Sequence, residues 1–273
     1  MLYLVATPIG NLGDISQRAL ETLATVSFIA AEDTRVTLKL LTHFGIKKPL
    51  VSYYEHNKSG SGAAILERLK NGESAALVTD AGMPAISDPG EELVAMCADA
   101  GVDVVIIPGP CAVVSALAMS GLPTGRFTFE GFLSTANKSR REHLDELRSE
   151  RRTMIFYEAP HKLKRTLEDM LAVFGDRRVS LSREMTKIHE ETLRTTLSGA
   201  LEHYADKPPR GEYVLVLEGC AKPAAQEVSL DYALTLIRGL QDGGATLRDA
   251  VKQAAEQTGI AKNVLYGAAV AEK

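Results

Sequence analysis

Over the first 120 residues, short apolar runs alternate with helical stretches, the pattern of an α/β sheet. Residues 2–6, 26–31, 50–53, 75–79 and 104–107 are the strand candidates, and 75–79 reads as a buried strand. Asp14 is placed to cap the first helix, with Gln17 reaching back as a capping box. A second helix ends near Gly45 and a third stops at Asn71-Gly72. Asp88-Pro89-Gly90-Glu91 has the order cap, first-turn proline, acid, and predicts a helix that ends at Gly101.

The pattern breaks at Gly121-Leu122-Pro123-Thr124-Gly125, and a second α/β region begins, with strands over 127–132, 153–157, 179–182 and 213–217. Ala221-Lys222-Pro223-Ala224-Ala225 reads as a linker. Three short helices follow over 231–240, 246–258 and 262–270, and residues 247–266 resemble a helix-turn-helix with Gly259 at the turn. The expected organisation is therefore an α/β domain over 1–121, a second over 122–222, and a helical extension over 223–273.

Three strand ends lead into unusual loops: Thr7-Pro8-Ile9-Gly10-Asn11, the segment from Asp80 to Gly90, and Pro108-Gly109-Pro110-Cys111-Ala112. In an open α/β sheet, ligands bind at the carboxyl ends of strands, where such loops converge. Glycine lets backbone approach a ligand, and proline stiffens the rim. Any one loop could be mere turn punctuation; three at strand ends describe a rigid, backbone-lined slot. The chain has no GxxxxGK[ST] segment, and its one GxG, Gly60-Ser61-Gly62, follows a polar stretch rather than a strand. Neither a P-loop nucleoside triphosphatase nor a Rossmann-type methyltransferase is supported.

Charge sharpens this picture. The net charge is −4, which argues against a generic nucleic-acid binder, yet residues 138–189 hold 13 basic against 9 acidic side chains and form the one net-positive block. Lys138, Arg140, Arg141, Arg148, Arg151 and Arg152 are its densest cluster, and a helix over 138–150 could show several on one face. The bland alternative is a solvated helix face, neutralised by Glu142, Asp145 and Glu146. The three cysteines, Cys97, Cys111 and Cys220, have no metal-ligand spacing, so no metal site is expected and a reducing cytoplasm fits. No apolar run is long enough to span a membrane, and the first residues lack a signal peptide's basic region.

The segments TPIGNLGDIS, AAEDTR, YYEHN, VTDAGMPAISDPG, PGPCA and YEAPH occur in this order. Together they resemble the tetrapyrrole-methylase superfamily. They are most similar to the branch that methylates a cytidine ribose 2′-hydroxyl in bacterial 16S ribosomal RNA. The resemblance covers about residues 2 to 220. It implies two α/β domains with S-adenosylmethionine in the cleft between them, a homodimer, and 16S ribosomal RNA within the small subunit as partner. Pro8 would lie against the donor, as would Ala81, Gly82 and Met83, with Ile86 packed behind. Relatives with Gly-Gly-Asp at the glycine-rich loop differ from Ala81-Gly82-Met83, so a polar contact from the third position must be backbone or absent. Cys111 and Ala112 match donor-contacting positions, and Tyr157 and Glu158 match a strand end near the adenosine.

Methyl transfer from a sulfonium is an in-line displacement, so catalysis is alignment plus removal of the hydroxyl proton. Candidates are Glu32, Asp33 and Arg35 of the AEDTR turn, with Glu55, His56 and Asn57. Asp33 or His56 could take the proton while Arg35 holds ribose or phosphate. Alternatively, Asp33 is a helix N-terminal acid and His56 a solvated loop residue. His161 reads as structural, and Cys111 as a small packing residue. Two other activities compete: carbon methylation of a corrinoid or porphyrin with the same donor, and a non-catalytic RNA-binding assembly factor.

Overall fold

Each apolar run of the first 120 residues becomes a strand, and the chain after most of them winds back as a helix. The computed structural model describes residues 1–221 and 229–271. It divides into two compact units, Met1–Cys220 and Ala221–Lys273.

The first unit begins with β1 (Leu2–Val5), α1 (Gln17–Thr25), β2 (Phe28–Ala31), α2 (Thr34–His43), β3 (Leu50–Ser52), α3 (Lys58–Lys70), β4 (Ala75–Val78), α4 (Glu91–Asp99), β5 (Val104–Ile107) and α5 (Ala112–Met119). The five strands form a parallel sheet in the order β3-β2-β4-β1-β5. β2 and β4 are buried at every position, as strands covered on both faces must be. The period of two is visible in β2: Phe28 and Ala30 pack with Ile65 of α3 and Leu93 of α4, whereas Ile29 and Ala31 pack with Leu23 of α1 and Leu41 of α2.

The chain continues as β6 (Phe127–Phe132), α6 (Asn137–Glu146), β7 (Thr153–Glu158), α7 (Leu163–Phe174), β8 (Arg178–Arg183), β9 (Glu191–Thr196), α8 (Leu197–His203) and β10 (Tyr213–Leu217). These strands form a second sheet, β6-β7-β10-β8-β9, in which β10 runs antiparallel to β7 and β8. Phe156, Leu181 and Leu215 face the core shared with Leu144 of α6 and Leu167 and Met170 of α7. On the other face, Ile155, Val214 and Val216 pack against Val113, Ala116 and Leu117 of α5. The last helix of the first sheet region is thus buried on the second sheet, and the two sheets sit in one unit.

Several local expectations are corrected. Asn11 caps a 3₁₀ turn over Leu12–Asp14, so α1 starts later and Ser16, not Asp14, caps it by accepting from the Ala19 N–H at 3.1 Å. The cap of α4 is Gly90 at φ +152°, where a Cβ would lie 3.0 Å from Ala85 Cβ and Leu77 Cδ2; Asp88 is left out of the helix. α6 ends at Glu146 rather than near 150. β9 was not expected: Glu-Thr-Leu-Arg-Thr-Thr is an edge strand, where no second face demands apolar residues.

In the second unit, α9 (Leu230–Asp242), α10 (Leu247–Thr258) and α11 (Lys262–Ala271) gather Leu234, Ile237, Val251, Ala254 and Leu265 into a small core. Gly259 ends α10 in the left-handed conformation at φ +73°, as the helix-turn-helix pattern requires. Of the expected linker, residues 222–225 lie outside the described residues. No helix among the described residues is long and apolar enough to cross a membrane.

Candidate active site

All strands of the first sheet point the same way, so the loops after β1, β2, β4 and β5 meet at one edge. A chamber of about 330 Å³ opens there. From the first sheet it takes Ile9, Glu32, Asp80, Ala81, Asp88 and Ala112. The second sheet contributes Phe132 and Tyr157, then Glu184, Met185 and Lys187 beyond β8, and Glu212, Tyr213 and Val214 at the start of β10. Beside it, Gly82, Met83, Ile86 and Cys111 line a niche of about 20 Å³ that shares Ile9, Ala81, Asp88, Ala112 and Tyr157 with the chamber. Seven of the residues singled out as donor contacts thus surround one space.

The other two do not. Pro8 lines a separate cavity with Thr7, Leu12 and Val36, across Asp80 from the chamber. Glu158 is buried, with its carboxylate accepting from the Thr166 hydroxyl at 2.5 Å and the Ala159 N–H at 2.8 Å. Successive strand residues face opposite sides, so the register that turns Tyr157 to the chamber turns Glu158 into the fold. The expectation that Glu158 contacts the donor is corrected to a structural role.

The chamber walls are strained. Among the described residues, the non-glycine positions with positive φ are Ala85, Ser87, Glu184 and Thr186, at 67°, 62°, 51° and 67°. Two lie in the loop after β4 and two in the loop after β8. Such residues cost of order 1–3 kcal/mol each and persist where the surroundings over-determine them.

The chamber is also acidic. Glu32, Asp80, Asp88, Glu184 and Glu212 line it against one cation, Lys187, which pairs with Glu184 at 3.0 Å. Burial, then the charges of Glu32, Asp80 and Glu212, push Asp88 up to about 7. Burial and Asp80 likewise raise Glu32, and burial raises Asp80. Burial also raises the Tyr157 phenol.

Of the catalytic candidates, Glu32 lines this chamber, whereas Asp33, Arg35 and His56 lie outside it. Asp33 caps α2 through the Arg35 N–H at 2.8 Å, and its carboxylate also holds the Arg35 guanidinium at 2.6 and 3.0 Å. Those bonds hold its carboxyl down at about 2. The Asp33 N–H donates to Asp80, which links the turn to the chamber wall, while the Arg35 side chain is 87% exposed. His56 is exposed in the loop between β3 and α3, edge-on to Tyr54 at 6.2 Å, and lines none of these cavities.

The basic cluster divides. Arg140 is 4% exposed, and its guanidinium is held by Asp169 at 2.7 Å, Asn137 at 3.2 Å and the Ser134 carbonyl at 3.3 Å. It joins α6 to α7, and the expectation that it meets RNA is corrected. Lys138, Arg141 and Arg151 are exposed. Arg152 is exposed too, and clamps Glu150 at 2.6 Å.

Sequence reasoning missed Asp88, taken for a helix cap, and Glu184, Met185, Lys187 and Glu212 beyond β8 and before β10, with Tyr213 at the start of β10. The one available signal for Asp88 was its position in a strand-end loop already singled out.

The first 201 residues match the tetrapyrrole (corrin/porphyrin) methylases, and the chain belongs to that family. It is an S-adenosylmethionine-dependent methyltransferase of mixed α/β fold. It is 48% identical over 267 residues to ribosomal RNA small subunit methyltransferase I of Synechocystis sp., covering 97% of this chain and 96% of that one. To the protein of the same name from Thermotoga maritima it is 50% identical over 218 residues, 80% of this chain and 98% of that one. Uroporphyrin-III C-methyl transferase from Thermus thermophilus, complexed with S-adenyl homocysteine, shares the fold at TM-score 0.53 and 18% identity, over 78% of this chain and 96% of that one.

The chamber suits this donor. S-adenosylmethionine carries a sulfonium and an ammonium against one carboxylate, and the chamber offers a surplus of carboxylates. Ala81, Gly82 and Ala112 put small residues on the side of the space that the loops after β4 and β5 form.

Proposed function

We propose that the chain methylates the ribose 2′-hydroxyl of a cytidine in 16S ribosomal RNA, within the small subunit, as a homodimer in the cytoplasm. The observation that carries the reading is similarity over 97% of the chain to relatives named for small-subunit ribosomal RNA. The ribose and the cytidine rest on the motif set from TPIGNLGDIS to YEAPH.

The chain's residues divide the work. Ala81, Gly82, Met83, Ile86, Cys111, Ala112 and Tyr157 hold the donor, which supplies an electrophilic methyl group when bound. Asp88 accepts the hydroxyl proton: it lines both chamber and niche, and a carboxyl near 7 is a stronger base than Asp33 near 2. Asp33 and Arg35 serve as an anchor, with the exposed guanidinium available to a phosphate or ribose. His56, exposed in the loop after β3, serves as a further substrate contact, and Lys138, Arg141, Arg151 and Arg152 offer positive charge to the RNA.

Tritiated methyl transfer to unmodified small subunits, followed by alkaline hydrolysis, tests the reading. A methylated 2′-hydroxyl cannot attack its own phosphodiester, so label is expected in an alkali-resistant dinucleotide that contains cytidine. Label in ordinary mononucleotides would place the methyl on a base. No transfer to subunits, with transfer to a tetrapyrrole, would move the chain to the carbon-methylating branch.

A further inference from the structure

A second cavity, of about 310 Å³, lies beside the donor chamber at the same edge of the second sheet. Its charge is opposite. Arg183, His203, Lys207 and Arg210 line it, and its one carboxylate, Glu191, is engaged by Arg183 at 2.6 Å. Lys207 and Arg210 are exposed and make no ion pair among the described residues. The acidic neighbours Glu202 and Asp206 do not line the cavity.

The two cavities share a lining residue at the same end of the second sheet. Tyr213 borders both, and its hydroxyl accepts from the Arg210 N–H at 3.2 Å. Arg183 and Glu184, consecutive at the end of β8, lie one in each cavity. Glu212, the chain neighbour of the shared Tyr213, lines only the chamber. The change of sign therefore falls at the Arg183–Glu184 step, beside the start of β10.

This contrast has a use if the substrate is RNA. A nucleotide placed against the donor brings a phosphate on each side, and the chamber's carboxylates repel phosphate. The cation lining the chamber, Lys187, is already paired with Glu184. Phosphates need cations just outside the chamber, and phosphate contacts fix the register of a nucleic acid without reading its sequence. We propose that the groove of Lys207 and Arg210 binds backbone phosphates of the RNA strand adjoining the target nucleotide, and so positions its ribose at the donor. The inference rests on the reading of the chain as an RNA methylase.

The test compares wild type with Lys207→Glu/Arg210→Glu and the neutral Lys207→Gln/Arg210→Gln. Filter binding of unmodified small ribosomal subunits is measured across a salt series. Calorimetry with S-adenosylhomocysteine reports folding and the donor site. The reversal should weaken subunit binding by about tenfold or more and flatten the log–log salt slope by about 1.4 for two lost contacts to single-stranded RNA, with the neutral pair intermediate. Affinity for S-adenosylhomocysteine should not change. Equal subunit affinity and slope in all three proteins, with wild type active on subunits, would overturn the groove and leave the RNA reading standing. A wild type that neither binds nor methylates subunits would overturn both.

Discussion

Thr7 and Gly82 exchange two backbone hydrogen bonds: the Thr7 N–H donates to the Gly82 carbonyl at 2.9 Å, and the Gly82 N–H to the Thr7 carbonyl at 3.1 Å. The loop after β1 is thereby tied to the loop after β4. Gly82 lies at φ +92°, and a Cβ there would stand 3.4 Å from Ile9 Cγ2 and 3.8 Å from the Pro110 carbonyl oxygen. Three strand-end loops meet at this residue. Its own N–H and carbonyl are engaged in this pair, so the position of Gly82 in the wall of the niche is fixed by the loop after β1.

Gly82→Val should therefore leave the chain folded but abolish donor binding. The left-handed backbone costs a side-chain residue about 1–2 kcal/mol, a modest loss for a core of this size. The isopropyl group would push Ile9 and the loop after β5 out of place. Calorimetry with S-adenosylhomocysteine, beside a thermal melt, checks this; unchanged affinity would put the donor elsewhere.

With Asp88 as the base, methyl transfer should show a pH limb. Asp88, with its folded value near 7, is neutral and cannot accept a proton below that pH, and ionised above it. kcat/KM for methyl transfer should rise with pH and level off above about 7. A bound cationic donor favours the carboxylate, so the limb in kcat should lie at lower pH than the limb in kcat/KM. Asp88→Asn should remove the limb and most of the rate. A variant that keeps both the limb and the rate would show another group to be the base.

How much of this was legible in the sequence depends on how local the signal is. A parallel strand buried on both faces reads as an apolar run, so β4 is placed within a residue; β5, an edge strand only partly buried, is legible because it is still the unbroken apolar run Val-Val-Ile-Ile. The loops after β1, β4 and β5 announced themselves through glycine and proline. β9 did not, because an edge strand needs no apolar stripe. Nor did the chamber's acidity: Glu32, Asp80, Asp88, Glu184 and Glu212 are scattered over 180 residues and meet only when the two sheets close on α5. Arg140 shows the converse. In sequence it equals Arg141, and only the position of α7 decides that one is buried against Asp169.

Asp33→Asn and Arg35→Ala should lower turnover more than donor affinity. Asparagine caps helices as well as aspartate does, so Asp33→Asn keeps the start of α2 while loosening the clamp on Arg35. Single-turnover rates and S-adenosylhomocysteine titrations separate the two effects. Equal losses would make this turn part of the donor site.

Arg140 and Arg141 should behave as different residues despite adjacency. Arg140→Ala leaves Asp169 partly buried without its main partner and should destabilise by about 3–5 kcal/mol. Its effect on the salt dependence of RNA binding should be nil. Lys138→Glu/Arg141→Glu changes exposed charges, so stability should barely move while the salt slope flattens. Denaturant melts and filter binding give the four numbers. A flattened slope for Arg140→Ala in protein shown to be folded would return that residue to the RNA surface.

The last prediction concerns where the chain can be cut. The unit Met1–Cys220 holds both sheets, their cores and the whole chamber. The Thermotoga maritima relative is matched over 98% of its length by only 218 residues of this chain, close to the size of that unit. Its last residues belong to the fold: the Cys220 N–H donates to the Glu150 carbonyl at 2.6 Å, and a Cβ on Gly219 would lie 2.2 Å from the Arg151 carbonyl oxygen. A cut after Ala221 should therefore give a folded protein with undiminished affinity for S-adenosylhomocysteine, whereas a cut before Gly219 should destabilise it. Calorimetry and a thermal melt on both truncations check this. If the longer one aggregates or loses donor binding, the C-terminal helices are required for the fold or the donor site rather than being a module appended to it.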